Sequence, residues 1–120
     1  HDGRHAGVTF QGVKDHRGHP PLARPGDADL TAYVDFGALS IAANTVYTKT
    51  YGPMAQGVFL QKLGIRERAE ILMKGADGSL RDEICSALAR LTDAKEMGTL
   101  FKVMAIGESK MPPPPGFESV

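Results

Sequence analysis

The chain contains one cysteine, no long apolar run and no excess of charge of either sign, and each of these absences excludes a class of protein. Because Cys85 is alone, it cannot form an internal disulfide, which fits a reducing compartment. No segment approaches the roughly 20 apolar residues that a membrane-spanning helix needs. Lys plus Arg equals Asp plus Glu at 14 each, so no net charge attracts nucleic acid or an anionic membrane. The sequence therefore predicts no membrane span and no nucleic-acid partner.

What the chain does contain is typical of a globular protein, with 42% hydrophobic and 23% charged residues. Its 120 residues have the size of one domain. The sequence opens on His1-Asp2-Gly3, without an initiator methionine or an apolar signal segment. We therefore expect the chain to be either processed or part of something longer.

Glycine and proline are frequent near both ends of the chain. Residues 1–30 predict an irregular loop region, within which residues 8–13 could be a short strand or a docked loop. An extended segment follows over 29–34, and Asp35 then predicts the N-cap of a short helix from Phe36 to Ala43. Its carboxylate can accept hydrogen bonds from the free amides of the first turn. At the other end, four consecutive prolines within 111–120 predict a stiff polyproline II tail.

The middle of the chain predicts a change from strand to helix at Gly52-Pro53. Residues 45–51 are rich in the β-branched and aromatic residues that favour a strand. Beyond them Phe59, Leu60 and Leu63 recur at helical spacing. Since a proline cannot donate to a sheet, we expect the strand to end there and a helical region, 52–98, to begin.

A second strand is predicted over residues 99–106, where apolar residues dominate and suggest that both faces are covered. Two strands separated by a long helical region cannot form a sheet that stands alone. The sequence therefore predicts an α/β fold that is incomplete within these 120 residues.

Few residues form a pattern that carries chemistry. All the histidines lie in the first loop region: His1, His5, His16 and His19. Glycine and proline surround them, so a solvated loop is favoured over a metal site. Neither GxGxxG nor GxxxxGK[ST] occurs, and Gly52 and Gly57 are interpreted as turn and helix-packing residues rather than a phosphate loop. No serine lies in a GxSxG elbow, and the residues alone predict no self-contained active site.

Polar residues at the ends of the predicted elements are the remaining candidates, because ligand contacts usually lie there. They are Asp29, Asp35 and Gln56. Helix capping accounts for Asp35. Gln56 caps a helix less well than Ser or Asp would, so its amide either positions a substrate or neighbouring backbone, or is simply exposed.

Three segments, in order, resemble one protein family. Pro25-Gly26 with residues 29–36 is similar to its PG-x-x-DLTA-x-VDF segment. Residues 52–65 with Arg68 resemble its GP-x-x-QG-x-FL-x-x-LGI-x-x-R block, and residues 90–106 resemble RL-x-x-x-x-x-MGTLFKV. The resemblance extends from about residue 7 to residue 117. The family that the chain resembles is the S-adenosylmethionine-dependent methyltransferases that include the mitochondrial protein-arginine methyltransferase of respiratory complex I assembly.

The resemblance implies an α/β fold, namely the C-terminal portion of a class I (Rossmann-like) methyltransferase with a helical insertion between the last two strands. In that family the glycine-rich cofactor loop lies in the N-terminal half, so no cofactor-binding residue is expected in this chain. S-adenosylmethionine would be the cofactor of the full-length protein. The missing N-terminal half would be one partner and a protein substrate the other.

The resemblance also suggests where the substrate side lies, since ligands of such folds bind beyond the carboxyl ends of the strands. Gln56, Gly57 and Phe59 are expected to line the acceptor entrance, with Asp29, Thr31 and Asp35 nearby. The implied function is methylation of a protein side chain, arginine, in the cytoplasm of a bacterium or the mitochondrial matrix of a eukaryote. The alternative is a non-catalytic interaction module that uses the helical insertion.

Overall fold

The computed structural model describes residues 9–15 and 17–118. It divides into two compact units, His1–Ile41 and Ala42–Val120. The described elements follow the order β1 (Gln11–Lys14), β2 (Arg17–His19), β3 (Asp29–Thr31), α1 (Phe36–Ala43), β4 (Thr48–Ala55), α2 (Gln56–Lys62), α3 (Ile65–Met73), α4 (Gly78–Thr92), α5 (Met97–Leu100) and β5 (Lys102–Glu108).

The first unit contains a small antiparallel sheet in the order β2-β1-β3. Strand β1 overlaps residues 8–13, for which a short strand was one of the two alternatives, and β3 lies within the segment predicted to be extended. The prediction of irregular backbone over 1–30 was wrong for β2, which has only three residues, too few to show the alternation that identifies a strand in a sequence. Gly12 allows β1 and β2 to lie close together, because a Cβ there would lie 2.7 Å from the carbonyl oxygen of His19.

Helix α1 begins as predicted. The carboxylate oxygen Oδ1 of Asp35 accepts a hydrogen bond from the backbone N–H of Ala38 at 3.0 Å. This is the N-cap geometry, in which a side-chain oxygen satisfies one of the free amides of the first turn.

Strand β4 does not end at Gly52-Pro53, and that prediction was wrong. The strand continues to Ala55 and pairs with β5 on both sides of an irregularity between Tyr51 and Met54. Gly52 has a φ of +88°, and the Gly52–Pro53 peptide bond is cis. Because Pro53 lies within the register shift, its missing N–H costs the ladder no hydrogen bond, and the strand can resume after it.

Four helices, α2 to α5, separate β4 from β5 in the chain. The helical part begins at Gln56 rather than at residue 52, because β4 occupies the intervening residues. The second strand begins at Lys102 instead of residue 99, since α5 extends over the residues before it. Within the described residues β4 and β5 form a two-stranded antiparallel sheet.

Very little of the described chain is buried. Among its hydrophobic residues, only Tyr51 and Ala69 are buried, with 8% and 4% of their surface exposed. Many large apolar side chains are exposed, and those with more than half of their surface open include Leu22, Leu30, Tyr33, Val46, Tyr47, Ile41, Ile71, Leu100 and Met111. No helix of the described residues is long and apolar enough to cross a membrane.

The proline-rich end of the chain is not a uniformly extended tail. It turns at residues 115–116, where the N–H of Phe117 donates to the carbonyl oxygen of Pro114 at 3.0 Å. The phenol of Tyr51 donates to the carbonyl oxygen of Met111 at 3.2 Å. The segment therefore packs against β4 within the second unit.

Asp77 is the N-cap of α4, and replacing it tests how the longest helix is stabilised. Its Oδ1 accepts from the backbone N–H of Leu80 at 2.9 Å. We expect Asp77→Ala to lower the free energy of unfolding by about 1 kcal/mol, because that amide loses its partner. Asp77→Asn keeps an accepting oxygen and should cost much less. Urea denaturation followed by circular dichroism measures both, and equal stability of Asp77→Ala and the parent protein would contradict the assignment.

Candidate functional site

The junction between β4 and α2 holds three of the six predicted site residues, Gln56, Gly57 and Phe59. We call residues 51–59 the corner. All three side-chain positions are at least partly buried there. What each one contacts determines what the corner can do.

The side-chain amide of Gln56 is hydrogen-bonded to neighbouring backbone. Its Nε2 donates to the carbonyl oxygen of Leu91 at 3.0 Å, and its backbone N–H donates to the carbonyl oxygen of Phe101 at 2.9 Å. Leu91 lies in the last turn of α4, whose carbonyls have no partner within the helix. Of the interpretations considered for this residue, the positioning of neighbouring backbone is the one that the geometry supports.

Gly57 is buried where three helices meet. A Cβ at this position would lie 2.6 Å from the carbonyl oxygen of Thr92 and 3.2 Å from the Cα of Gly98. A Cβ on Gly98 would in turn collide with the backbone of Thr92 and lie 2.6 Å from the carbonyl oxygen of Asp93. The two glycines therefore allow α2 and α5 to approach the C-terminal end of α4 closely.

Phe59 belongs to an aromatic cluster. Its ring centroid lies 5.3 Å from that of Phe117 with an interplanar angle of 45°, and Phe117 lies 6.2 Å from Tyr51. Such tilted pairs at this separation are favourable. Sequence reasoning missed Phe117, although an aromatic residue one glycine beyond a proline run was a possible signal.

Asp29, Thr31 and Asp35 belong to the other unit and are exposed. Asp29 and Thr31 are two apart on β3, so they lie on the same face of the small sheet. Asp35 caps α1, as described above. The six predicted residues thus divide between the two units, three in each.

The corner does not offer a cradle for a phosphate or a nucleotide. Space at its glycines is already occupied: a Cβ on Gly52 would lie 2.8 Å from the carbonyl oxygen of Val103 and 3.0 Å from the ring of Phe117. Gly57 is filled in the same way by α4 and α5. These glycines serve packing, as the sequence predicted, and the corner is a packed junction of β4 and α2 rather than a set of reacting groups.

Two open depressions, of about 560 and 440 Å³, flank α4. The residues that line them do not include the six predicted site residues. No group of three His, Cys, Asp or Glu side chains among the described residues could hold a metal ion. Of the histidines, His1, His5 and His16 lie outside the described residues, and Nδ1 of His19 lies 2.9 Å from the carbonyl oxygen of Pro20.

Comparison with known proteins gives the family. Residues 2–54 match a family model described as "Putative S-adenosyl-L-methionine-dependent methyltransferase". The chain is 41% identical over 99 residues to "Protein arginine methyltransferase NDUFAF7 homolog, mitochondrial" of Drosophila melanogaster, covering 82% of this chain and 23% of that protein. It is 37% identical over 107 residues to "Protein arginine methyltransferase NDUFAF7, mitochondrial" of Homo sapiens, covering 88% of this chain and 24% of that protein.

Solved structures agree with the family model. A Burkholderia thailandensis protein with S-adenosyl-homocysteine bound superposes with a TM-score of 0.70 at 29% identity, over 92% of this chain and 27% of that one. A second structure from the same organism gives a TM-score of 0.68 at 27% identity, over 92% of this chain and 28% of that one. The chain spans about a quarter of the length of the curated relatives it matches. Over that span, it belongs to the family of S-adenosyl-L-methionine-dependent methyltransferases.

Proposed function

We propose that the whole protein transfers a methyl group from S-adenosyl-L-methionine to a protein side chain, arginine. The observation that carries this proposal is the 41% identity over 99 residues to a protein named as an arginine methyltransferase. The superposition on a chain with S-adenosyl-homocysteine bound supports the choice of cofactor. S-adenosyl-L-methionine would supply the methyl group, and residues outside this chain would hold it, because the family resemblance puts the glycine-rich cofactor loop in the N-terminal half.

In this proposal the chain is the C-terminal portion of a class I methyltransferase, and α2 to α5 form a helical insertion between its last two strands. The two-stranded sheet of β4 and β5 supports this, because a sheet of two strands is marginal in water without further strands or helices to cover it. The apolar side chains exposed over the described residues support it as well. The N-terminal half of the same domain would cover them.

The corner is proposed as the wall of the acceptor entrance. Gln56 would act there as a positioning residue, because its amide holds the start of α2 against α4. Gly57 and Phe59 would set the distance of that wall from the neighbouring helices and from the C-terminal segment. Asp29, Thr31 and Asp35 would supply exposed oxygen atoms, which suit a cationic guanidinium.

The acceptor would be a protein, and the names of the relatives support a link to the assembly of respiratory complex I. Those relatives are mitochondrial, which supports the mitochondrial matrix as the location if the source is a eukaryote. A bacterial source would place the protein in the cytoplasm.

A second function, a non-catalytic interaction module, is favoured by the exposed apolar side chains of α3 and α4. Ile71, Leu72 and Leu80 each have 46% or more of their surface exposed. If this second function were correct, the complete protein would bind its partner through residues 56–100 and transfer no methyl group.

Calorimetry tests whether the cofactor is held by residues outside this chain. Isothermal titration calorimetry with S-adenosyl-homocysteine should detect binding by the whole protein and none by residues 1–120 alone. Binding by the 120-residue chain alone would contradict the proposal that the cofactor is held elsewhere.

Replacement of Gln56 by Ala tests the corner. The change leaves the carbonyl oxygen of Leu91 without its partner. A partly buried acceptor left unpaired costs about 1–3 kcal/mol of stability, and a shifted wall should lower methyl transfer by roughly tenfold or more. Gln61→Ala is the matched control, since Gln61 is an exposed glutamine on the same helix. Methyl transfer by Gln56→Ala that equals the parent rate at all substrate concentrations would refute the role.

Asp35 can be tested for capping and for charge separately. Asp35→Asn keeps an N-cap oxygen of similar quality, whereas Asp35→Ala should lower the free energy of unfolding by about 1 kcal/mol. If the carboxylate also contacts the acceptor arginine, both variants should raise the KM for acceptor. An unchanged KM in Asp35→Asn would restrict Asp35 to its structural role.

A further inference from the structure

The C-terminal segment is attached to the corner at several points along its length. We call residues 111–118 the strap. Its first residue accepts a hydrogen bond from the phenol of Tyr51, and its Phe117 ring packs against the rings of Tyr51 and Phe59. Beyond Phe117, Nζ of Lys62 donates to the backbone carbonyl oxygen of Glu118 at 2.9 Å. The strap therefore extends from the middle of β4 to the last residue of α2.

The strap and the corner fit closely at two glycines. A Cβ on Gly116 would lie 2.7 Å from the ring of Phe59, and a Cβ on Gly52 would lie 3.0 Å from the ring of Phe117. Gly116 has a φ of +85°, which other residues rarely adopt. The backbone N–H of Gly116 also donates to Oε2 of Glu118 at 2.7 Å, so the strap closes its own turn. Each ring thus occupies space that only a glycine leaves open.

The proline run is suited to hold the ring of Phe117 against the corner. Residues 112, 113 and 115 are exposed and Pro114 is half-buried, whereas the ring of Phe117 packs against the rings of Tyr51 and Phe59. A run of prolines has few accessible conformations before it docks, and therefore loses little conformational entropy when it does. The run acts as a stiff spacer that ends in an aromatic anchor.

Helix α2 depends on such contacts because it is short. Seven residues are too few for a helix to be stable by itself in water. One side of α2 is held by the hydrogen bond from Gln56 to α4, and Phe59 is held by Phe117 and Gly116 of the strap. Removing either attachment should let the start of α2 shift.

We propose that the strap is a positioning element for the acceptor entrance, with Phe117 as its anchoring residue. This inference rests on the proposed function, since it concerns how that site recognises its protein acceptor. The strap holds Phe59 and the start of α2 in the orientation that the acceptor meets. It contributes to acceptor recognition and leaves cofactor binding unchanged.

The test uses the whole protein and the variant Phe117→Ala. Methyl transfer from tritiated S-adenosyl-L-methionine to a pool of arginine-containing peptides gives an apparent KM for acceptor, and calorimetry gives the Kd for S-adenosyl-homocysteine. We expect the KM to rise about threefold to tenfold, the scale of one aromatic pair, with an unchanged Kd. Phe117→Tyr keeps the ring and should restore the KM of the parent protein. An unchanged KM for acceptor in Phe117→Ala would overturn the proposal. A rise in both the KM for acceptor and the Kd for S-adenosyl-homocysteine would also overturn it.

A structural measurement separates this inference from the proposed function. Hydrogen exchange of the whole protein should show faster exchange at the backbone amides of α2 in Phe117→Ala, and a smaller increase in Lys62→Met, which removes one attachment without a core change. Tyr47→Ala is the control, because Tyr47 is 96% exposed. Equal exchange at the α2 amides of the parent protein and of Phe117→Ala would refute the positioning role of the strap, whatever the rate of methyl transfer. A parent protein that binds no S-adenosyl-homocysteine and transfers no methyl group, while α2 still responds to Phe117→Ala, would instead refute the proposed function.

Discussion

The second unit depends on one close approach, that of α2 and α5 to the C-terminal end of α4. Gly57 and Gly98 leave the space for it, and the amide of Gln56 satisfies a carbonyl that α4 leaves free at its last turn. Without that approach the two short helices would lose a contact that they need, since they have only seven and four residues. The contact also determines where the chain leaves β4, and hence the orientation of the corner.

The aromatic cluster of Tyr51, Phe59 and Phe117 is a second centre of packing at the corner, beside the contact between α2, α4 and α5. Tyr51 is one of only two buried hydrophobic residues among those described, and the strap contacts it through Phe117 and Met111. The described chain therefore has two small centres of packing in its second unit rather than one extended core. Its family relatives are about four times as long, which fits a chain whose remaining apolar surface is covered by other residues of the same protein.

Local features could be predicted from the sequence, and contacts between distant residues could not. The cap at Asp35 and the bounds of α1 were predicted correctly, because capping depends on residues three apart. The continuation of β4 past Pro53 was missed, since it requires knowing where β5 changes register. Gln56 and Leu91 are 35 residues apart, so nothing in the local pattern indicates that the amide is committed to α4. Phe117 was missed for the same reason, and the family came from the motif order rather than from periodicity.

In the proposed function, this chain forms the acceptor side of a methyltransferase whose cofactor is held by other residues of the protein. The most direct measurement is a crystal structure of the whole protein with S-adenosyl-homocysteine bound. We expect the cofactor contacts to lie outside residues 1–120 and a strand from outside this chain to pair with the sheet of β4 and β5. A cofactor held entirely by residues 1–120, with that sheet still two-stranded, would contradict the proposed function.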